Sequence, residues 1–365
     1  MTTLPAAYLE QFAEPPGYLE FASTGPVSRR VREAMAAPRG TAWDAIAALH
    51  ETALAAMARL VAVPADRVAP LPSTSAGLFQ VAFGLLGSGG NVVLPAHEFP
   101  ANVYPWLRAE GAGGPEVRLV PCPDRRVTAV RLAPAVDSQT RAVAVSLVDF
   151  VTGFRVDLAE LRRAFPAPLL AVDAIQGLGA VAAVLGPADV LVAGGQKWLR
   201  AGWGSGVMAV SDRALERLAP TLTGWCGVEA FLDFETPPPH DARETASRFQ
   251  EGSPPYLGTL QMGAAVEVIE MAGIAAIEAA VLARAAAVEE VVRRAGAEVL
   301  APWRRPEERA GIVSFHLPGE DPAATAARLA AAGLVVSRRS GWVRVSPHAS
   351  TPAEAVGRLR EALDG

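Results

Sequence analysis

Lysine is almost missing from this chain. Of its 33 basic side chains only Lys197 is a lysine, and the rest are arginines. Arginine replaces lysine well as a surface charge. It does not replace an amine nucleophile, because guanidinium stays protonated and cannot condense usefully with an aldehyde. Lys197 also stands in GGQKW, between apolar and glycine-rich stretches that make poor surface. The one amine left by the bias therefore points to chemistry rather than solvation.

Other absences narrow the field further. Two cysteines, Cys122 and Cys226, are too few and too isolated for a disulfide framework or a zinc site, and the five histidines show no metal spacing. No metal is expected. No apolar run approaches the roughly 20 residues that span a bilayer, so no membrane segment is expected. A formal charge of −5 argues against a nucleic-acid binder, which would carry a basic surface. The opening MTTLPAAYLEQFAEPPG lacks a basic cluster followed by an apolar stretch, so a cytoplasmic location is expected.

What is present reads as an α/β protein. At 365 residues, 51% of them hydrophobic, the chain can bury a large core divided into two domains. NVVLP, VRLVP, AVAVSLV, PLLAVD, DVLVAG and GVMAV are short apolar runs of the kind buried in parallel sheets. Helical patterns such as PANVYPWLRAEG and DLAELRRAF lie between several of them. That alternation predicts a mostly parallel sheet with helices on both faces, spanning residues 1–255 together with the N-terminal segment. A smaller C-terminal α+β domain is expected over residues 256–365. Its strands would be GIVSFHL, GLVVSRR and WVRVSP, followed by a final helix that Thr351 caps, with Pro352 first and Glu354 third.

In open α/β sheets ligands gather at the carboxyl ends of strands, and the polar residues of interest fall there. Asp173 ends PLLAVD, where a carboxylate can keep a heteroaromatic nitrogen protonated and so make its ring an electron sink. Ser73, Thr74 and Ser75 open an apolar helix whose N–H groups can face a phosphate, although the same residue types are also the ordinary helix caps. Phe99 and His97 stand where a helix follows NVVLP, and an aromatic there can stack on a cofactor or simply join the core. In VVSRRSGWVRVSPH, Arg338, Arg339 and Arg344 are candidates to clamp a carboxylate, and the tight RSG turn favours Arg339.

These motifs, in this order, resemble the class V aminotransferase family of fold-type-I pyridoxal-5′-phosphate (PLP) enzymes, which includes cysteine desulfurases and kynureninases. YLEFASTGPV, STSAG, EFPANVYPW, DAIQ, GGQKW, EGSPPYLG and RVSPHAST carry the resemblance over most of the chain. It implies the fold-type-I PLP-dependent transferase fold, with Lys197 holding the cofactor as a Schiff base and Asp173 on the pyridine nitrogen. It further implies Gln176 on the ring oxygen, Thr74 and Ser75 on the phosphate, and Phe99 stacked on the ring. Ser253 matches a residue that reaches the partner subunit's phosphate, which implies a homodimer with the active site at its interface. Arg339 matches the arginine that binds the substrate carboxylate.

Two departures bear on the reaction. The run from Arg339 to Arg344 is short and lacks the nucleophilic cysteine of desulfurases, and Cys226 lies elsewhere in the chain. Gln196 precedes the lysine where desulfurases have histidine, leaving acid–base work to Lys197. Transamination of an amino acid to a keto acid ranks first. Cysteine-independent C–S lyase (β-elimination) chemistry follows closely, then epimerisation and kynureninase-type hydrolysis. A catalytically silent PLP-binding regulator and an α/β protein without PLP are the rivals from other classes. Trp203, Trp225, Trp342 and Tyr256 are candidates to line an apolar substrate pocket.

Overall fold

The computed structural model describes residues 3–36 and 43–364. The apolar runs form a seven-stranded sheet from β1 (Val68–Pro70), β2 (Asn91–Pro95), β3 (Glu116–Val120), β4 (Thr140–Ser146), β5 (Leu169–Asp173), β6 (Val190–Gly194) and β7 (Gly206–Val210), in the order β1-β7-β6-β5-β4-β2-β3. Strands β2 to β6 pair in parallel, while β7 runs antiparallel to both β6 and β1. Every residue of β2, β5, β6 and β7 is buried, which is why these segments read as unbroken apolar runs instead of alternating ones. Strand β3 closes one edge and is correspondingly half-exposed. The order reverses between β2 and β4, so a crevice opens at the carboxyl ends of the central strands.

A second, antiparallel sheet is built from β8 (Glu298–Val299), β9 (Val313–His316), β10 (Ser337–Arg339) and β11 (Trp342–Val345), in the order β10-β11-β9-β8. Its own core joins Val313, Phe315, Val343 and Val345 to Leu329, Leu359 and Val288 of neighbouring helices. The helix Tyr256–Ala272 packs elsewhere: Met262, Ala264, Ala265 and Val268 join the core on one face of the large sheet. The final helix begins at Ala353, one residue later than expected, and Thr351 Oγ1 accepts the His348 N–H at 2.9 Å, so Thr351 closes the turn before the helix.

The N-terminal segment stitches the two sheets together. Tyr18 and Glu20 bridge to Val335 and Ser346 of the small sheet, and Gly25 N–H donates to the Gln196 carbonyl at 2.8 Å, beside Lys197. A Cβ on Gly25 would lie 2.0 Å from the Lys197 carbonyl oxygen, so only glycine permits this approach. Deeper in the seam, Arg200 Nη1 meets Glu14 Oε1 at 3.0 Å and Nη2 meets Oε2, with side chains 3% and 7% exposed. The guanidinium lies 3.8 Å over the Phe12 ring and also donates to Ser350 Oγ at 3.0 Å. Glu14→Ala would leave that buried cation without its counter-charge, and a loss of about 3–5 kcal/mol in unfolding free energy is expected in urea titration. A loss below about 1 kcal/mol would place the pair with ordinary surface bridges.

Candidate active site

The carboxyl ends of β4, β5 and β6 and the turns that follow them bring the charged residues into one crevice. Lys197 follows β6 in a turn closed by Arg200 N–H to the Lys197 carbonyl at 3.0 Å and Ala201 N–H to the Gly195 carbonyl at 2.8 Å. Its side chain is 9% exposed, and among the described residues its amine makes no hydrogen bond or ion pair. The amine instead lies 5.4 Å from the centre of the Phe99 ring. Burial pushes it down to about 8; Asp173 opposes that shift, and Arg344 and Arg339 add to it.

Asp173 is 2% exposed and forms no ion pair among the described residues. Its hydrogen bond comes from Ile175 N–H at 3.0 Å. Burial raises the carboxyl to about 6, with the Ile175 bond and the Lys197 charge pulling the other way. A buried amine and a buried carboxylate, each without an ion pair among the described residues, suit a charged occupant. Thr74 opens the helix Thr74–Phe83, where its Oγ1 accepts the Gly194 N–H at 2.7 Å and keeps its own proton to donate. Ser73 caps that helix by accepting Ala76 N–H at 3.2 Å, and Ser75, half-buried in the first turn, has no hydrogen bond among the described residues.

Arg339 and Arg344 meet at a third element. Both donate to Ser23 Oγ, from their Nη2 atoms at 3.1 and 2.7 Å. Arg344 is fixed, being 1% exposed and bonded through Nε to Ser337 Oγ at 3.1 Å and through Nη1 to the Phe150 carbonyl at 2.7 Å. Burial, then Arg339, lowers it to about 10. Arg339 is half-buried and otherwise holds only the Arg338 carbonyl, at 2.8 Å. Neither arginine forms an ion pair among the described residues, so an anion is wanted where they converge.

Lys197, Asp173, Phe99 and Arg339 are thus gathered as the sequence suggested, and Thr74 is tied to the strand that leads to the lysine. Gln176 is largely engaged: its amide nitrogen donates to the Ala22 carbonyl and its oxygen accepts from Trp198 Nε1, both at 2.8 Å, which leaves one N–H for a ring oxygen. Ser253 is exposed in the turn before the helix Tyr256–Ala272. Of the tryptophan and tyrosine candidates, Trp342 packs on His316, Trp225 on Phe231 and Tyr256 on His50, while Trp203 is 69% exposed.

Arg344, a candidate beside the favoured Arg339, lies between two buried valines in WVRVS. Three further neighbours, Ser23, Phe150 and Glu98, carry no mark in the sequence. Glu98 accepts the Ser146 N–H at 2.8 Å and the Ser146 hydroxyl, at the strand end that registers with Asp173. Desolvation raises its carboxyl to about 7, against those two bonds.

The fold and this crevice are those of a PLP-dependent enzyme. The aminotransferase class-V model matches residues 36–355, and the chain belongs to that family. An uncharacterized aminotransferase of Bacillus subtilis, YcbU, is 25% identical over 347 residues, covering 93% of this chain and 89% of its own. A probable cysteine desulfurase of Aeropyrum pernix is 27% identical over 373 residues, covering 91% and 84%. Among solved structures, a C-DES mutant with glycine covalently linked to its PLP cofactor superposes with a TM-score of 0.85 at 20% identity, covering 95% of this chain and 96% of that one.

PLP is the cofactor of this chain, and the residues present fit it. Lys197 is a partly neutral amine, Asp173 a carboxylate without an ion pair among the described residues, and Thr74 and Ser75 offer hydroxyl protons at a helix start. The raised carboxyl of Asp173 also has a cost in the cofactor-free chain. Between about pH 4 and 6 the folded chain keeps a proton that the unfolded chain has lost, so stability falls by about 3 kcal/mol as pH rises through that window. Asp173→Asn is therefore expected to raise the melting temperature of the cofactor-free protein at pH 7, to leave it little changed at pH 3.5, and to weaken cofactor retention. An equal gain at both pH values would exclude charge burial as the cause.

Proposed function

We propose that this enzyme is an aminotransferase that converts an α-amino acid to its keto acid. When bound, PLP supplies an aldehyde carbon and an electron-accepting ring. The rest falls to the protein. Asp173 would hold a proton on the ring nitrogen, Thr74 and Ser75 would hold the phosphate, Gln176 would give its remaining N–H to the ring oxygen, and Phe99 would pack on the ring. Arg344 and Arg339 grip the substrate carboxylate, which replaces Ser23 as their shared acceptor and orients the α-carbon toward Lys197.

Near neutral pH part of the Lys197 population is uncharged, because burial and two cations disfavour the ammonium. With the substrate held on the arginines, Nζ would take the α-proton, and where it returns that proton would decide the reaction. The observation that carries this reading is that Lys197 is a buried, unpartnered base with no thiol beside it. Cys122 lies fully buried behind Glu98, and burial raises both it and Cys226 above the ordinary thiol range. That arrangement argues against desulfuration through an enzyme-bound persulfide. β-Elimination without an enzyme thiol is the second reading, favoured by the desulfurase among the relatives. We further propose a homodimer in the cytoplasm, with Ser253 reaching the partner subunit's phosphate.

The test is a spectrum of the PLP-loaded protein with each amino acid of a panel, keto acid being assayed alongside. Transamination predicts conversion to the pyridoxamine form with one equivalent of keto acid. Persistence of the starting band while pyruvate and a leaving group accumulate over many turnovers would establish a lyase. Lys197→Ala is expected to lower turnover by at least about 10³-fold. A regulator that only binds PLP would show no turnover to lose.

A further inference from the structure

We propose that the substrate side chain is apolar, preferably aromatic, and is received against Phe99 and Phe150; this rests on the amino-acid reading above. The charges leave little room for a polar one. Besides Asp173, the ions that bear on the Lys197 amine are Arg344 and Arg339. Because both arginines donate to the single Ser23 oxygen, they converge on one anion. That anion is the α-carboxylate, and Arg125, the cation against the Phe150 ring, is already paired with Asp149.

The wall between clamp and amine is made of phenyl rings. The Phe150 carbonyl accepts Arg344 Nη1, so its backbone touches the carboxylate clamp directly. Its ring packs edge to face on Phe99, with centroids 5.2 Å apart and planes at 78°. Phe99, under the lysine amine, keeps 39% of its surface exposed. With one face of Phe99 given to the cofactor ring, the Phe150 ring packed on its edge is the apolar surface beside the clamp that can receive the side chain.

The wall is also rigid before any ligand arrives. Asp149 Oδ1 accepts Val151 N–H at 3.0 Å, Thr152 N–H at 2.7 Å and the Thr152 hydroxyl at 2.9 Å, which pins the turn that carries Phe150. Asp149 Oδ2 holds Arg125 Nη1 at 3.0 Å, and that guanidinium lies 5.1 Å from the Phe150 ring centre. A charged or hydroxylated side chain would give up its water against these rings without a partner, whereas an apolar one gains contact at little ordering cost.

The experiment measures kcat/KM of the PLP-loaded enzyme for phenylalanine, leucine, alanine and aspartate. Phenylalanine is expected to exceed alanine and aspartate by at least about tenfold. Phe150→Ala should cut the phenylalanine-to-alanine ratio by about tenfold or more. Phe150→Leu, which keeps the turn filled, should still prefer leucine over alanine. Aspartate as the best substrate would overturn the inference, because the two arginines would then hold separate carboxylates. Equal rates for phenylalanine and alanine, or a ratio untouched by both variants, would overturn it too, with amino-acid chemistry intact. No spectral response to any amino acid overturns the amino-acid reading itself, and this inference with it.

Discussion

A guanidinium taken out of water has to be answered by charge, hydrogen bonds and ring faces together, and Arg200 receives all three from different parts of the chain. Glu14 supplies the charge from the N-terminal segment, Ser350 a hydroxyl from the end of the small sheet, and Phe12 and Phe21 the rings. The Arg200 N–H meanwhile closes the turn of Lys197. His348 sits against the same cluster, held well below its ordinary value by burial first and by Arg200 and Arg284 next, so it stays a neutral acceptor for Ser350 N–H. The position of the lysine is therefore a property of three segments at once, and a buried pair of this kind specifies geometry more surely than it adds stability.

Around the lysine the opposite principle operates, and partners are withheld. Among the described residues Lys197 and Asp173 form no ion pair, and the two arginines share a neutral serine oxygen. Each group carries a desolvation cost that a bound cofactor and carboxylate would relieve. Binding energy is in this way stored as unsatisfied charge, which favours occupants that bring an anion to the arginines and a protonated ring nitrogen to the aspartate.

The large sheet was legible in the sequence because four of its strands are wholly buried and so appear as uninterrupted apolar runs. Strands β1 and β8 were not: three residues ending in proline and a two-residue pair carry no periodicity to detect. Lys197 stood out by scarcity and Asp173 by ending a strand. Ser23 and Phe150 had no local mark, because their meaning comes from contacts with Arg344 at separations of 321 and 194 residues. Arg339 was preferred over Arg344 on turn shape. The fold divides the work between them: the strand interior gives Arg344 three fixed hydrogen bonds, while the turn leaves Arg339 half-exposed beside it.

The scarcity that first drew attention to Lys197 has a second face now that its surroundings are known. Arginine covers the exterior, and the one side-chain amine is buried in the crevice at the strand ends. Free aldehydes and acylating agents that decorate the surface lysines of other proteins find no such targets here. Lysine labelled with nitrogen-15 would likewise give a single side-chain resonance, which would report the protonation state of the reacting nitrogen without assignment. The chain is in effect a single-site spectroscopic probe of its own chemistry.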